Sequence, residues 1–180
     1  MPLIKIIQQL SEDFFPEVAD HYRHLHQHPE LSYQEENTSR YVARFLEELN
    51  IPHKTNIGGY GILAWIKGEK NSSNGKTIAF VADMDALPVH EENDIPFRSA
   101  NEGVMHACGH DSHTAALMGA VKIVNALRKE FVGTALFVFQ PGEERSPGGA
   151  DLMLKDGVFD KFEPELIIKQ HAYVDLPAGK

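Results

Sequence analysis

Two runs of residues in this sequence, 77–82 and 134–139, are apolar almost throughout. A strand with one face in water alternates apolar and polar residues, so an unbroken apolar run indicates a strand buried on both faces. Other segments alternate with these runs, with helices predicted at 112–127 and 148–155 and strands at 62–66 and 165–169. This alternation predicts an α/β fold in which helices flank a mostly parallel sheet.

The first fifty residues are predicted to be mostly helical. Apolar residues recur every three or four positions over 3–26, which indicates a helix with one buried stripe and with Pro16 as a candidate break. A second helix is predicted over 34–49. Further along the chain, the polar segment 68–75 is interpreted as a hairpin loop.

Four histidines lie near the end of the first predicted helix: His21, His24, His26 and His28. They could form a metal site. Histidines in a last turn also interact favourably with the helix dipole and can hydrogen-bond the last carbonyls. The second interpretation is preferred, so a structural role is expected for them.

The charge balance of the chain excludes some classes of partner. The 180 residues carry 17 Lys and Arg against 26 Asp and Glu, for a net charge of −9. Such a chain lacks the basic surface that nucleic acids and anionic membranes require. No apolar run reaches the length of a membrane span, and the N-terminus lacks the pattern of a signal peptide. With a single cysteine as well, a cytoplasmic protein is expected.

Side chains that can bind metals follow the predicted strands. In open α/β sheets, ligands bind outside the carboxyl ends of the strands, where parallel strands share one rim. A thiol and an imidazole separated by one glycine, in the sequence Cys108-Gly109-His110, suit a borderline-soft dication such as zinc. Groups of ligand type thus occur at four successive element ends and form a candidate metal-dependent site on this rim: Asp83 and Asp85, Cys108 and His110, Glu143 and Glu144, and His171. The alternatives are that Cys108 is a small buried apolar side chain and that polar residues end the strands by chance.

The neighbouring acids Glu143 and Glu144 require separate roles. Successive side chains of an extended segment point apart, so the two carboxylates cannot easily face one ion together. One can bind metal while the other acts as a general base toward water that the metal activates. The alternative is a pair of solvated surface acids.

The order of the motifs identifies a resemblance. The chain contains Arg23 with Pro29-Glu30-Leu31-Ser32, then the segments 82–88, 106–111 and 140–144, and finally His171 with Pro177 and Gly179. It resembles the aminoacylase-like metallo-amidohydrolases, which include hippurate hydrolases, N-acyl-amino-acid amidohydrolases and plant indole-acetyl-amino-acid hydrolases. The likeness covers essentially the whole chain, and it implies a zinc-exopeptidase-like three-layer sandwich.

The resemblance also implies roles for individual residues. Four side chains are expected to bind two divalent ions, zinc or manganese, with cobalt or nickel as alternatives: Cys108, His110, Glu144 and His171. Glu143 is similar to the general base of the family, and Asp85 to the acid that orients a metal ligand. The implied reaction is hydrolysis of the amide of a small N-acylated amino acid or peptide. The alternatives are an amino- or carboxypeptidase of the same superfamily and a non-catalytic remnant.

Length is the main departure from the family. Its members are about twice as long, with a dimerisation domain inserted after the position of His171 and a further ligand histidine beyond it. Residues 1–180 are thus expected to be the N-terminal part of a catalytic domain, apparently truncated and inactive alone. The full-length protein is expected to be a homo-oligomer.

Overall fold

The computed structural model describes residues 2–71 and 75–173, and these form one five-stranded sheet with helices on both faces. The α-helices are α1 (Leu3–Gln27), α2 (Glu36–Glu48), α3 (His110–Ala126) and α4 (Gly149–Lys155). The strands, which lie in the order β1-β2-β4-β3-β5, are β1 (His53–Ile57), β2 (Gly61–Lys67), β3 (Thr77–Asp83), β4 (Thr134–Gln140) and β5 (Leu166–Lys169). The predicted α/β class is confirmed.

The sheet is mixed, which refines the expectation of a mostly parallel sheet. Strand β3 is parallel to both of its neighbours, β4 and β5. Strand β2 is antiparallel to β1 and to β4. The connections on either side of β2 are too short for the crossover that parallel strands need, so they reverse the chain direction.

The hairpin predicted at 68–75 is wrong, because β4 lies between β2 and β3. The connection passes the start of β4, where Gly68 N donates to the Gly133 carbonyl over 2.9 Å. Residues 72–74 lie outside the described residues. Pro177 and Gly179, which contribute to the resemblance, lie outside them too.

Both faces of the central strands are buried, as the apolar runs predicted. On β4, Phe137 and Phe139 belong to the core cluster that includes side chains of α2 and α3. Leu136 and Val138 point the other way and belong to the cluster that includes Met153 of α4. The helices and the sheet between them form the expected three layers.

Helix α1 continues through Pro16 without a break. A proline inside a helix leaves the carbonyl four residues earlier without its partner. Pro16 and Glu12 are both exposed, so water can satisfy that carbonyl. Within residues 2–71 and 75–173, no helix is both long enough and apolar enough to cross a membrane.

Candidate metal centre

The parallel strands β3, β4 and β5 place their carboxyl ends on one rim of the sheet. Asp83 ends β3 and Gln140 ends β4 in the same register, as paired residues. Asp85, Glu143 and His171 follow the three strands, so the connections that carry them start from this rim.

The structure brings the predicted ligand side chains together. One donor atom from each of Cys108, His110 and His171 lies within 4.8 Å of the others, with 3.4 Å between Cys108 Sγ and His171 Nε2. His110 also groups in this way with Glu143 and Glu144, and its Nε2 lies 3.8 Å from Glu144 Oε1. His110 is thus common to both groups.

Gly109 allows Cys108 and His110 to share this site. It immediately precedes α3 with φ +82°, a backbone conformation that residues with a side chain rarely adopt. The turn places the thiol before the helix and the imidazole at its first residue. The sequence Cys108-Gly109-His110 thus provides two donor side chains and the glycine that the backbone between them requires.

Asp85 contacts His110 through both its backbone and its side chain. His110 Nδ1 donates to the Asp85 carbonyl over 2.9 Å and lies 3.3 Å from Asp85 Oδ1. Burial alone would raise the pKa of Asp85, but hydrogen bonds from His110, the Glu144 backbone and Ser32 lower it to about 2. With Nδ1 held as a donor, the lone pair remains on Nε2, which is buried and has no hydrogen-bond partner among the described residues.

The donor set fits a cation. Burial and the nearby carboxylates of Glu144 and Glu143 raise the pKa of the Cys108 thiol to about 12. A thiol next to carboxylates releases its proton readily only when a positive charge is added. His110 Nε2, which has no hydrogen-bond partner in the part of the chain that the structure describes, is the second indication. An imidazole nitrogen that is buried without a hydrogen bond is costly unless it binds something.

Two further residues, which the sequence analysis did not select, support this rim. His113 Nε2 accepts a hydrogen bond of 2.8 Å from the backbone N–H of Ala172, the residue after His171. Burial lowers the pKa of His113 to about 4, so the ring is neutral and able to accept. Lys169 Nζ lies 2.9 Å from the buried Asp83. His113 could have been selected from the sequence, because it lies three residues after His110 and therefore on the same face of the helix.

The connection between α1 and α2 holds the loop that carries the two glutamates. Ser32 Oγ donates to Asp85 Oδ2 over 2.7 Å. The hydroxyl of Tyr33 donates to the Arg145 carbonyl over 2.5 Å and accepts from the Gly148 N–H over 3.0 Å. Three segments that are far apart in sequence are fixed relative to one another by these bonds.

Glu35 and Gly142 complete this arrangement. The buried carboxyl of Glu35 accepts a hydrogen bond of 2.6 Å from the Gly142 N–H, and burial raises its pKa. Gly142 has φ +55°, and a Cβ atom there would lie 2.2 Å from the ring of Tyr33. The glycine before the two glutamates is therefore needed for close packing.

His26 has a role that neither interpretation of the four histidines anticipated. Its Nδ1 lies 2.6 Å from Asp111 Oδ2, its Nε2 lies 2.9 Å from Glu91 Oε1, and all three residues are buried. His28 matches the preferred interpretation, since its Nδ1 bonds the His24 carbonyl over 2.8 Å.

Glu30 and Arg23, which contribute to the resemblance, lie outside the donor cluster. The Glu30 carboxylate accepts hydrogen bonds from the backbone N–H groups of Asn37 and Thr38, in the first turn of α2. It thus satisfies two donors of a helix start that would otherwise be unpaired. Arg23 forms an exposed ion pair with Asp20.

Sequence comparison finds a family profile and curated relatives that match this chain. The profile of peptidase family M20/M25/M40 matches residues 79–180. The N-acyl-L-amino acid amidohydrolase of Geobacillus stearothermophilus is 43% identical over 179 residues, which cover 97% of this chain and 46% of the relative. YhaA of Bacillus subtilis is 43% identical over 177 residues, which cover 98% and 43% respectively. The chain thus spans less than half the length of these curated relatives.

Structure comparison finds a solved protein of the same family. The Bacillus subtilis YXEP protein, described as a dinuclear metal binding peptidase from the M20 family, is 41% identical and superimposes with a TM-score of 0.84. The match covers 93% of this chain and 46% of that one.

Proposed function

Since the chain belongs to peptidase family M20/M25/M40, we propose that its full-length protein is a metal-dependent amidohydrolase that removes the acyl group from N-acyl amino acids. The observation that carries this proposal is the convergence of Cys108, His110 and His171 beside Glu143 and Glu144 on one rim of the sheet. The similarity to an N-acyl-L-amino acid amidohydrolase supports this substrate class.

We assign the ligand role to Cys108, His110, Glu144 and His171. Two divalent ions bound there, zinc or manganese, would supply a Lewis acid for water and for the amide carbonyl. Thiolate and imidazole donors favour zinc among these metals. Asp85 keeps the His110 ring oriented through Nδ1, and His113 holds the segment that carries His171.

Glu143 acts as the general base in this proposal. It is exposed on the rim, next to Glu144, whose side chain is 22% exposed. Glu143 accepts the proton that water loses when it attacks the acyl carbon, and it returns the proton to the nitrogen of the departing amino acid. One carboxyl group thus acts first as base and then as acid.

We also propose that residues 1–180 are the N-terminal part of the catalytic domain of a homo-oligomeric protein, and that the remaining ligand and much of the substrate pocket lie in the rest of the protein. Such a partial site would be inactive alone. The full-length protein is therefore the one to assay.

A substrate panel tests the proposal. Full-length protein loaded with zinc or manganese would be assayed on N-acetyl, N-benzoyl and indole-acetyl amino acids, and on dipeptides with a free amino terminus. Faster hydrolysis of the acylated amino acids supports a deacylase. Preference for the dipeptides would favour the second candidate, a peptidase, which the description of the YXEP protein supports.

A further inference from the structure

A recess opens beside Glu144, between the segments that follow β3 and β4. Its volume is about 270 Å³, and its apolar wall consists of Leu31, Ala86, Leu87 and Pro88. Glu144 and Arg145 form its charged side. Whole ligand sites begin at about 300 Å³, so this recess has the size for one group of a substrate.

Arg145 is the cation of this recess. The rim around it is acidic, with Asp83, Asp85, Glu143 and Glu144 at the ends of β3 and β4. The other cation nearby, Lys169, is already paired with Asp83. Among residues 2–71 and 75–173, the ion pairs that involve arginine belong to Arg23, Arg40 and Arg44, and none involves Arg145.

The backbone of Arg145 is fixed although its side chain is exposed. The Tyr33 hydroxyl donates to its carbonyl oxygen, and Tyr33 also holds the N–H of Gly148. The backbone from which the guanidinium extends is therefore fixed one residue from a proposed metal ligand. A planar guanidinium binds a carboxylate through two parallel hydrogen bonds, which makes it well suited to this ligand group.

We propose that Arg145 binds the carboxylate of the substrate amino acid and that the recess takes the apolar side chain of the same amino acid. This inference rests on the proposed function. An N-acyl amino acid carries one negative charge and no positive charge, so when its amide lies at the metal centre its carboxylate needs a cationic partner of its own. Arg145 provides that cation next to an apolar wall, which predicts a preference for amino acids such as leucine with a free carboxylate.

The test compares two substrates that differ only at the carboxylate, N-acetyl-leucine and N-acetyl-leucinamide. In the full-length protein, Arg145→Gln is expected to raise KM for the acid roughly tenfold or more and to leave KM for the amide within about twofold. Arg145→Lys keeps the positive charge but loses the two parallel hydrogen bonds of a guanidinium. Its KM for the acid should therefore lie between the values for wild type and for Arg145→Gln. Arg44→Gln removes the same charge from an exposed pair with Glu48 and should change KM for neither substrate.

Calorimetric binding of the same two compounds, measured in a Glu143→Gln background where turnover is expected to be lost, separates this inference from the proposed function. Weaker binding of the acid alone in Arg145→Gln supports the carboxylate site, whether or not the wild-type protein hydrolyses either compound. Equal losses for acid and amide, or no loss, overturn the site even if hydrolysis of N-acyl amino acids is found.

Discussion

His26 Nδ1 lies 2.6 Å from Asp111 Oδ2 and joins the end of α1 to the first turn of α3, which carries His110. Its other nitrogen bonds Glu91, in the long segment between Asp85 and Cys108. A buried imidazolium thus lies between two buried carboxylates. Removing one member of such a network leaves uncompensated charge, which is costly in the protein interior.

We expect His26→Gln to lower the free energy of unfolding by about 3 kcal/mol near pH 6. Glutamine keeps hydrogen-bonding atoms but loses the positive charge. Arg44→Gln breaks an exposed pair and should have little effect. Chemical denaturation of both variants and wild type measures the difference. Equal stability of His26→Gln and wild type would contradict an ionised network.

The same network predicts a pH dependence of this stability difference. The hydrogen bond to Asp111 raises the pKa of His26 from 6.5 to about 9 despite burial, so its contribution is fully present below pH 6.5 and is lost as the pH rises through about 9. Burial would raise the pKa of Glu91, but the bond to His26 lowers it from 4.5 to about 2, so its contribution is present above pH 4.5 and is lost as the pH falls through about 2. The gap between His26→Gln and wild type should be largest between these two ranges.

Glu143→Gln should abolish turnover in the full-length protein and leave its metal content unchanged, because the base is lost while the ligand remains. The matched variant Glu144→Gln should lose metal. Metal analysis after gel filtration, together with the rate on an N-acyl amino acid, measures both effects. The opposite pattern would show that the two roles are assigned the wrong way round.

Cobalt(II) provides a direct test of the thiolate ligand. Cys108 is the single cysteine of the 180-residue polypeptide, so any sulfur-to-cobalt absorption band in the near ultraviolet of that polypeptide must come from it. We expect the band in wild type, its absence in Cys108→Ser, and weaker cobalt binding in that variant. An unchanged spectrum and affinity in Cys108→Ser would exclude the thiol from the site.

The edge strand β5 predicts self-association of the 180-residue polypeptide. Leu166, Ile167 and Ile168 are 51%, 53% and 42% exposed, and the outer edge of β5 has no paired strand among the described residues. Exposed apolar edges tend to pair with another chain. Sedimentation velocity should show association that Ile167→Lys reduces, whereas Leu154→Lys, at an exposed position on α4, should not. A monomer at all concentrations would contradict this.

The sequence allowed the central strands and the rim to be predicted because their signals are local. An unbroken apolar run identifies β3 and β4, and polar side chains directly after them mark the rim. Strand β1, His53–Ile57, was missed because its outward residues are polar and its apolar content is low. An edge strand that is exposed along one side carries little of the signal that buried strands show.

The contacts that position the site were not predictable because their partners are distant in sequence. His26 and Asp111 are 85 residues apart, and Tyr33 and Arg145 are 112 apart. No periodicity links such pairs; the packing of α1 against α3 and the bridge between the following loop and the segment after β3 bring them together. His113 could have been selected from its spacing to His110. Its role could not, because its ring accepts a hydrogen bond from the backbone N–H of Ala172, which is distant in sequence.

The close packing of Gly142 against Tyr33 has a consequence for how sequences of this fold diverge. A lineage cannot gain a side chain at position 142 while the ring of Tyr33 occupies the space where its Cβ would lie. The ring must shrink or move first, so the order of the two substitutions is constrained. Homologous sequences with a residue larger than glycine at position 142 are therefore expected to have a side chain other than tyrosine at position 33.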